Sequence, residues 1–248
     1  MNDALRRHCM ELARCNQRGG RMLSVFDLLA AETLDLDLAA YFLAHISRGA
    51  SFMIGARPGG AGKTTVMCAL LNFVPADTIL TAAADGTLRG YLRSQGGERT
   101  CLICHEIGSG PYFAYLWDEP LRRFCAMSDN GCMLAANLHA DDIDEARIQV
   151  CEENGVPHKH FTAFQLLAFL RVEGSWHAPR RRVERVYASD GTSPHQLVFE
   201  HGRGLFSRDA APDNAWFCEC RDFLARNAGE TAMTIEKARG LVLDFLAS

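Results

Sequence analysis

Residues 51–65 read SFMIGARPGGAGKTT. The apolar start suits a buried strand, the middle is a glycine-rich turn, and Lys63 and Thr64 follow where a helix should begin. Gly59, Gly60 and Gly62 carry no Cβ, so backbone N–H groups can converge there on an anion, and a helix starting behind them adds the partial positive charge of its N-terminus. Lys63 has the reach for β and γ phosphates, and the Thr64 hydroxyl suits Mg2+, which takes oxygen ligands. The strict phosphate-loop spelling G-x-x-x-x-G-K-[ST] fails at one place, because Arg57 stands where the first glycine belongs. Gly55 can open a longer loop instead, and Pro58-Gly59 can make the reversal by itself. Pro58, Gly59, Gly60, Ala61, Gly62, Lys63, Thr64 and Thr65 are the expected nucleotide-binding segment, with ATP and Mg2+ as its ligands.

Outward from that turn, strands and helices alternate. TTVMCALLNFV (64–74) predicts a helix with Val66, Leu70, Phe73 and Val74 on or near one face. TILTAA (78–83), RTCLICHEI (99–107) and CMLAANLHA (132–140) predict strands, and PYFAYLW (111–117) a further one. Asp142-Ile-Asp-Glu145 resembles a capping box, which starts a helix directly behind the strand ending at His139. RRRVERVYAS and HQLVFEH predict a hairpin near 181–201. Upstream, a helix is expected over 3–15 and two more within 22–49. Downstream, GRGLFSRDAAPDN reads as a linker, followed by helices near 214–226 and 233–247. The pattern implies an α/β fold, a mostly parallel sheet with helices on both faces. The expected organisation is a helical N-terminal segment over 1–50, a core over 51–203 and a helical tail over 204–248.

The 248 residues are long enough for a substantial core. With 48% hydrophobic and 23% charged residues and a net charge of −4, nucleic acid is not the expected direct ligand. The N-terminal stretch is charged throughout, so neither a leader nor an integral membrane segment is expected, and the expected compartment is the cytoplasm. Ten scattered cysteines then read as buried thiols. Cys101-Leu-Ile-Cys104-His105 spells a haem-attachment motif, and Cys218-Glu-Cys220 can be joined with it into a four-thiolate zinc set. Both are weaker than core packing, because the first lies in an apolar strand and C-x-C is not the usual zinc spacing.

Hydrolysis of a triphosphate needs an acid beside the cradle to orient water. Glu106 closes a strand and so stands at the C-terminal edge of the sheet, where ligands of such sheets bind. Its rival is Asp118-Glu119 after the apolar YFAYLW, which looks like the acidic strand of transporter-type ATPases but has no Leu-Ser-Gly-Gly-Gln signature ahead of it. His139, also at a strand end, can contact the γ-phosphate, and a structural role is its plainer alternative. Arg89 and Arg93 read as solvated surface. A small-molecule kinase would need an acceptor pocket and a lid, and only SGPYFAYLWDEP offers a covering segment.

In this order the pieces resemble the type II/IV secretion-system ATPases, hexameric motors of pilus assembly, conjugation and protein export. Residues 28–65 look like that family's helix pair leading into strand and phosphate loop, and 62–83 like its loop helix, proline turn and next strand. RTCLICHEI falls where the family has its Walker B glutamate. MLAANLHADDIDEARIQV resembles its histidine box, and RRRVERVYAS its following hairpin. Over residues 23–190 the resemblance implies a RecA-like ATPase core with Lys63, Glu106 and His139 as catalytic residues. It also implies a homo-oligomer, a hexamer, acting with a membrane secretion or pilus apparatus, so that the protein would sit at the inner membrane only through a partner. Three departures stand out: Arg57, His105 in place of a small residue before the glutamate, and Ala82-Ala83-Ala84-Asp85 where the family carries an acidic box. Asp85 is the remaining candidate there for Mg2+ through water. The family's large N-terminal domain is reduced to about fifty residues, an expectation that favours nucleotide binding over fast turnover. A nucleotide-binding switch or scaffold is the alternative function.

Overall fold

The computed structural model describes residues 3–16, 19–84, 86, 88, 98–175, 178–229 and 233–248. Asp85, Arg89 and Arg93 lie outside them. α1 (Asp3–Cys15), α2 (Val25–Ala30) and α3 (Leu36–Ile46) precede β1 (Phe52–Gly55) and α4 (Lys63–Leu71). Next come β2 (Ile79–Ala82), β3 (Thr100–Ile107), β4 (Tyr115–Leu116), α5 (Asp118–Ala126), β5 (Met133–Leu138), α6 (Ile143–Arg147) and α7 (His158–Thr162). The chain closes with β6 (Leu166–Ser175), β7 (Ala178–Ala188), β8 (Gln196–Glu200), β9 (Gly204–Leu205), α8 (Ala215–Asn227) and α9 (Ile235–Leu246).

The described strands form one sheet in the order β2-β3-β5-β1-β6-β7-β8-β9, with β4 on β3. From β2 to β6 the pairings are parallel, and from β6 to β9 antiparallel. The expected mixed α/β architecture, a mostly parallel sheet flanked by helices, is the one observed. Strand residues alternate between two cores, as the period of two requires. Phe52, Ile54, Cys101, Ile103 and Ala135 face α1 to α4, α8 and α9. Met53, Leu102, Cys104, Leu134, Ala136 and Leu138 face α5, α6 and α7.

Several elements start where local chemistry dictates. Ser24 caps α2 in a complete capping box with Asp27, and Asp35, Asn214 and Thr234 cap α3, α8 and α9 through their side chains. The box expected at Asp142 is only half formed. Asp142 does accept the Glu145 N–H, but the Glu145 carboxylate takes the Asp141 N–H and the Arg57 guanidinium instead.

Other expectations are corrected in detail. PYFAYLW shrinks to the two residues of β4. α4 is not amphipathic, since Val66 through Leu71 are all buried, and Phe73 and Val74 lie beyond its end. The strand β6, absent from the sequence pattern, pairs parallel to β1 on the side away from β5. Cys101 and Cys104 face opposite sides of the sheet, which parts them as a ligand pair. All ten cysteines are free thiols.

Candidate nucleotide site

The site forms where three parallel strands end together. β5 lies between β1 and β3, so the turn after β1, the end of β3 and His139 behind β5 meet at one sheet edge. β1 leads into the loop and α4 leaves it. Gly60 and Gly62 take positive φ of 82° and 97°, which glycine alone enters without strain. Gly62 caps α4 without a side-chain hydrogen bond, which suits that helix end to an anion. Residues 57–60 are exposed, whereas Lys63 is buried at 7% exposure. Thr64 and Thr65 sit half-buried in the first turn of α4.

Lys63, Glu106 and His139 converge. Lys63 Nζ donates to the Ala56 carbonyl at 3.0 Å, lies 3.4 Å from Glu106 Oε2 and 3.3 Å from His139 Nδ1. His139 Nε2 lies 3.8 Å from the same Glu106 oxygen. His139 Nδ1 also lies 3.3 Å from the Arg57 carbonyl, so the tautomer sets whether that nitrogen accepts from Lys63 or donates to Arg57. The register of β3 against β5 shifts between Cys104 and Ile107, and a bulge of this kind re-aims the side chains within it. Burial pushes the Glu106 carboxyl above its usual range, opposed by the Lys63 and His139 charges. Its second oxygen, Oε1, is buried with no hydrogen-bond partner among the described residues, an acceptor that is costly to leave unmet.

Arg57 does not enter the cradle. Its guanidinium forms a two-pronged pair with Glu145, at 2.9 Å and 2.6 Å, and its N–H donates to Asp141 at 2.7 Å. The loop is thereby tied to the turn after β5. His105 points the other way from Glu106, its Nε2 3.3 Å from Cys15 Sγ and its ring edge-on to Phe113. Asp118 and Glu119 open α5, where the Asp118 N–H donates to Asn154 and Glu119 pairs with Arg123. Of the two acidic candidates, Glu106 is the one brought to Lys63.

Two polar residues near the site went unforeseen. Asn137, fully buried on β5, donates to the His105 carbonyl at 2.9 Å while its Oδ1 has no partner among the described residues. A lone amide in the apolar run CMLAANL was the available signal. Arg181, on β7, donates from Nε to the Gly60 carbonyl at 2.9 Å. Nothing in RRRVERV distinguishes it from its neighbours, because only the hairpin's path brings it to the loop.

No family model and no curated protein matches the chain. Among solved structures, the chain is similar to the VirB11 ATPase from the Brucella suis type IV secretion system in complex with sulphate. The identity is 15% and the TM-score 0.45, over 70% of this chain and 59% of that one. It is also similar to the ATPase DotB of Legionella pneumophila, at 11% identity and TM-score 0.45, over 93% of this chain and 59% of that one. The chain thus spans about three fifths of the length of either structure.

Proposed function

We propose that the chain binds ATP with Mg2+ at residues 58–65 and hydrolyses it. The observation that carries this is the meeting of Lys63, Glu106 and His139 behind a glycine turn that opens a helix. Kinship with secretion motors, and with it assembly as a hexameric ring at a membrane apparatus, rests on the order of the sequence motifs. Mass measurement with and without nucleotide tests the ring.

The chain's own groups then act as follows. Loop amides and the α4 N-terminus bind the phosphates. Lys63 exchanges the Glu106 carboxylate and the Ala56 carbonyl for phosphate oxygens, which frees Glu106 to take a proton from the attacking water. A carboxylate whose pKa is raised by burial is the stronger base for that transfer. His139 stands between the two and hydrogen-bonds the terminal phosphate. The Thr64 hydroxyl and the unpartnered Glu106 oxygen suit Mg2+, Glu106 through a water; the ion supplies charge neutralisation on the phosphates. Positioning and electrostatics of this kind do most of the work in phosphoryl transfer.

Isothermal calorimetry and steady-state turnover test the reading together. Lys63→Ala should lose ATP binding, and Glu106→Gln should bind ATP but lose turnover by about 100-fold or more. Full affinity in Lys63→Ala would sink the site. A switch that binds without hydrolysing is the second reading, favoured by the buried contact of Lys63 with Glu106, which nucleotide has to open. It predicts equally low turnover in wild type and Glu106→Gln.

A further inference from the structure

The β6–β7 hairpin outruns the rest of the sheet. β1 pairs with β6 only as far as Phe169, and β8 pairs with β7 only over Arg185 to Ala188. Beyond those points the two strands pair with each other, from Leu170 with Val183 to Ser175 with Ala178. This arm is basic, carrying Arg171, Arg180, Arg181 and Arg182. Its acids are already engaged: Arg182 holds Glu173 at 2.5 Å and 2.8 Å and Glu184 at 2.9 Å, and Arg171 shares both.

Arg181 turns to the glycine loop instead. Besides its bond to the Gly60 carbonyl, its Cδ lies 3.2 Å from where a Cβ on Gly62 would stand, so its stem packs across the loop. Among the described residues no carboxylate lies within ion-pair distance of it, and one neutral carbonyl answers a guanidinium with five N–H donors. Lys63, Arg181 and the helix end thus gather positive charge on one short turn. The single buried carboxylate there, Glu106, already faces Lys63. Such a balance wants an anion, and a guanidinium matches phosphate oxygens two at a time.

Resting on the phosphate site proposed above, we infer that Arg181 is a ligand of the bound polyphosphate, supplied by the chain's own hairpin on the solvent side of the loop, with Lys63 on the buried side. On binding, the guanidinium turns its terminal amino groups to the phosphate while its stem stays on Gly62. The ligand class is a nucleoside di- or triphosphate, with the contact made to phosphate and not to base.

The test is the affinity for MgATP and for inorganic triphosphate of wild type, Arg181→Gln, Arg181→Lys and, as a neighbouring control, Arg180→Gln. Arg181→Gln keeps a donor for Gly60 and loses the charge, and it should weaken both ligands by about 10-fold or more. Arg181→Lys keeps the charge but not the planar fork, so its affinity should fall between those of wild type and Arg181→Gln, and Arg180→Gln should bind as wild type does. Thermal midpoints should be shared by all four, because the side chain is exposed. Arg181→Gln with wild-type affinity overturns the inference while leaving the nucleotide site standing. So does equal loss in the Gln and Lys variants, which marks a structural peg, or equal loss in the two Gln variants, which marks a diffuse field. Wild type without affinity for either ligand overturns the site and the inference together.

Discussion

At the scale of single residues, the departures from the phosphate-loop spelling have local explanations. Arg57 is tolerated because its guanidinium leaves the loop for Glu145, and His105 because it is drawn toward Cys15 and Phe113. Gly55 is not a loop opener but the last residue of β1. A Cβ there would stand 2.6 Å from the Phe169 ring and 2.7 Å from the Ala140 carbonyl. Gly55→Ala should therefore cost about 1–3 kcal/mol in denaturant unfolding, as overpacking does. A wild-type midpoint would show that the strand end can shift. Arg57→Ala removes a largely exposed pair and should cost no more than about 1 kcal/mol in the same assay. The positions of Lys63, Glu106 and His139 were legible because Lys63 opens the helix behind the glycine turn and the other two stand at or just past strand ends. Arg181 was not, because its contact is with a loop carbonyl 121 residues away in the chain.

At the scale of elements, α4 decides how firmly the cradle is held. Its residues from Val66 to Leu71 are all buried, so a helical-face pattern could not reveal their environment. The turn that follows it is held from α9: Arg239 donates to the carbonyls of Asn72 at 2.7 Å, Val74 at 2.6 Å and Pro75 at 3.1 Å. Arg239→Met strands three buried carbonyls and should cost about 3 kcal/mol, read from denaturation midpoints. His8 of α1 meets the same turn through Asn72 Oδ1 at 3.2 Å. Burial first, and then the Arg239 charge, push its imidazole from 6.5 down to about 3. The unfolded chain therefore takes up the proton first. The His8 contribution is whole above about 6.5 and drains away as pH falls toward the folded value. About 2 kcal/mol should be gone near pH 5. His8→Gln should flatten the fall of the thermal midpoint between about pH 7 and pH 4; an unchanged slope would assign the acid sensitivity elsewhere.

At the scale of the molecule, the terminal helices are not appendages. α1, α3, α8 and α9 share one apolar core with β1, β3 and β6, and Trp216 of α8 donates to the Ala44 carbonyl of α3 at 3.2 Å. We expect a chain ending at residue 214 to lose cooperative unfolding, because it uncovers α3, whose residues from Leu38 to Leu43 are all below 2% exposure. A truncated protein with a sharp thermal transition and native near-ultraviolet circular dichroism would make 215–248 a separable tail. The sequence alone determined the alternation of elements, the glycine turn and the positions of three of the groups beside it, because these are set by residues close together in the chain. β6, the reach of Arg181 and the clamp of Arg239 were decided only by tertiary structure. Each depends on contacts between segments about a hundred or more residues apart, and local periodicity carries no record of such partners.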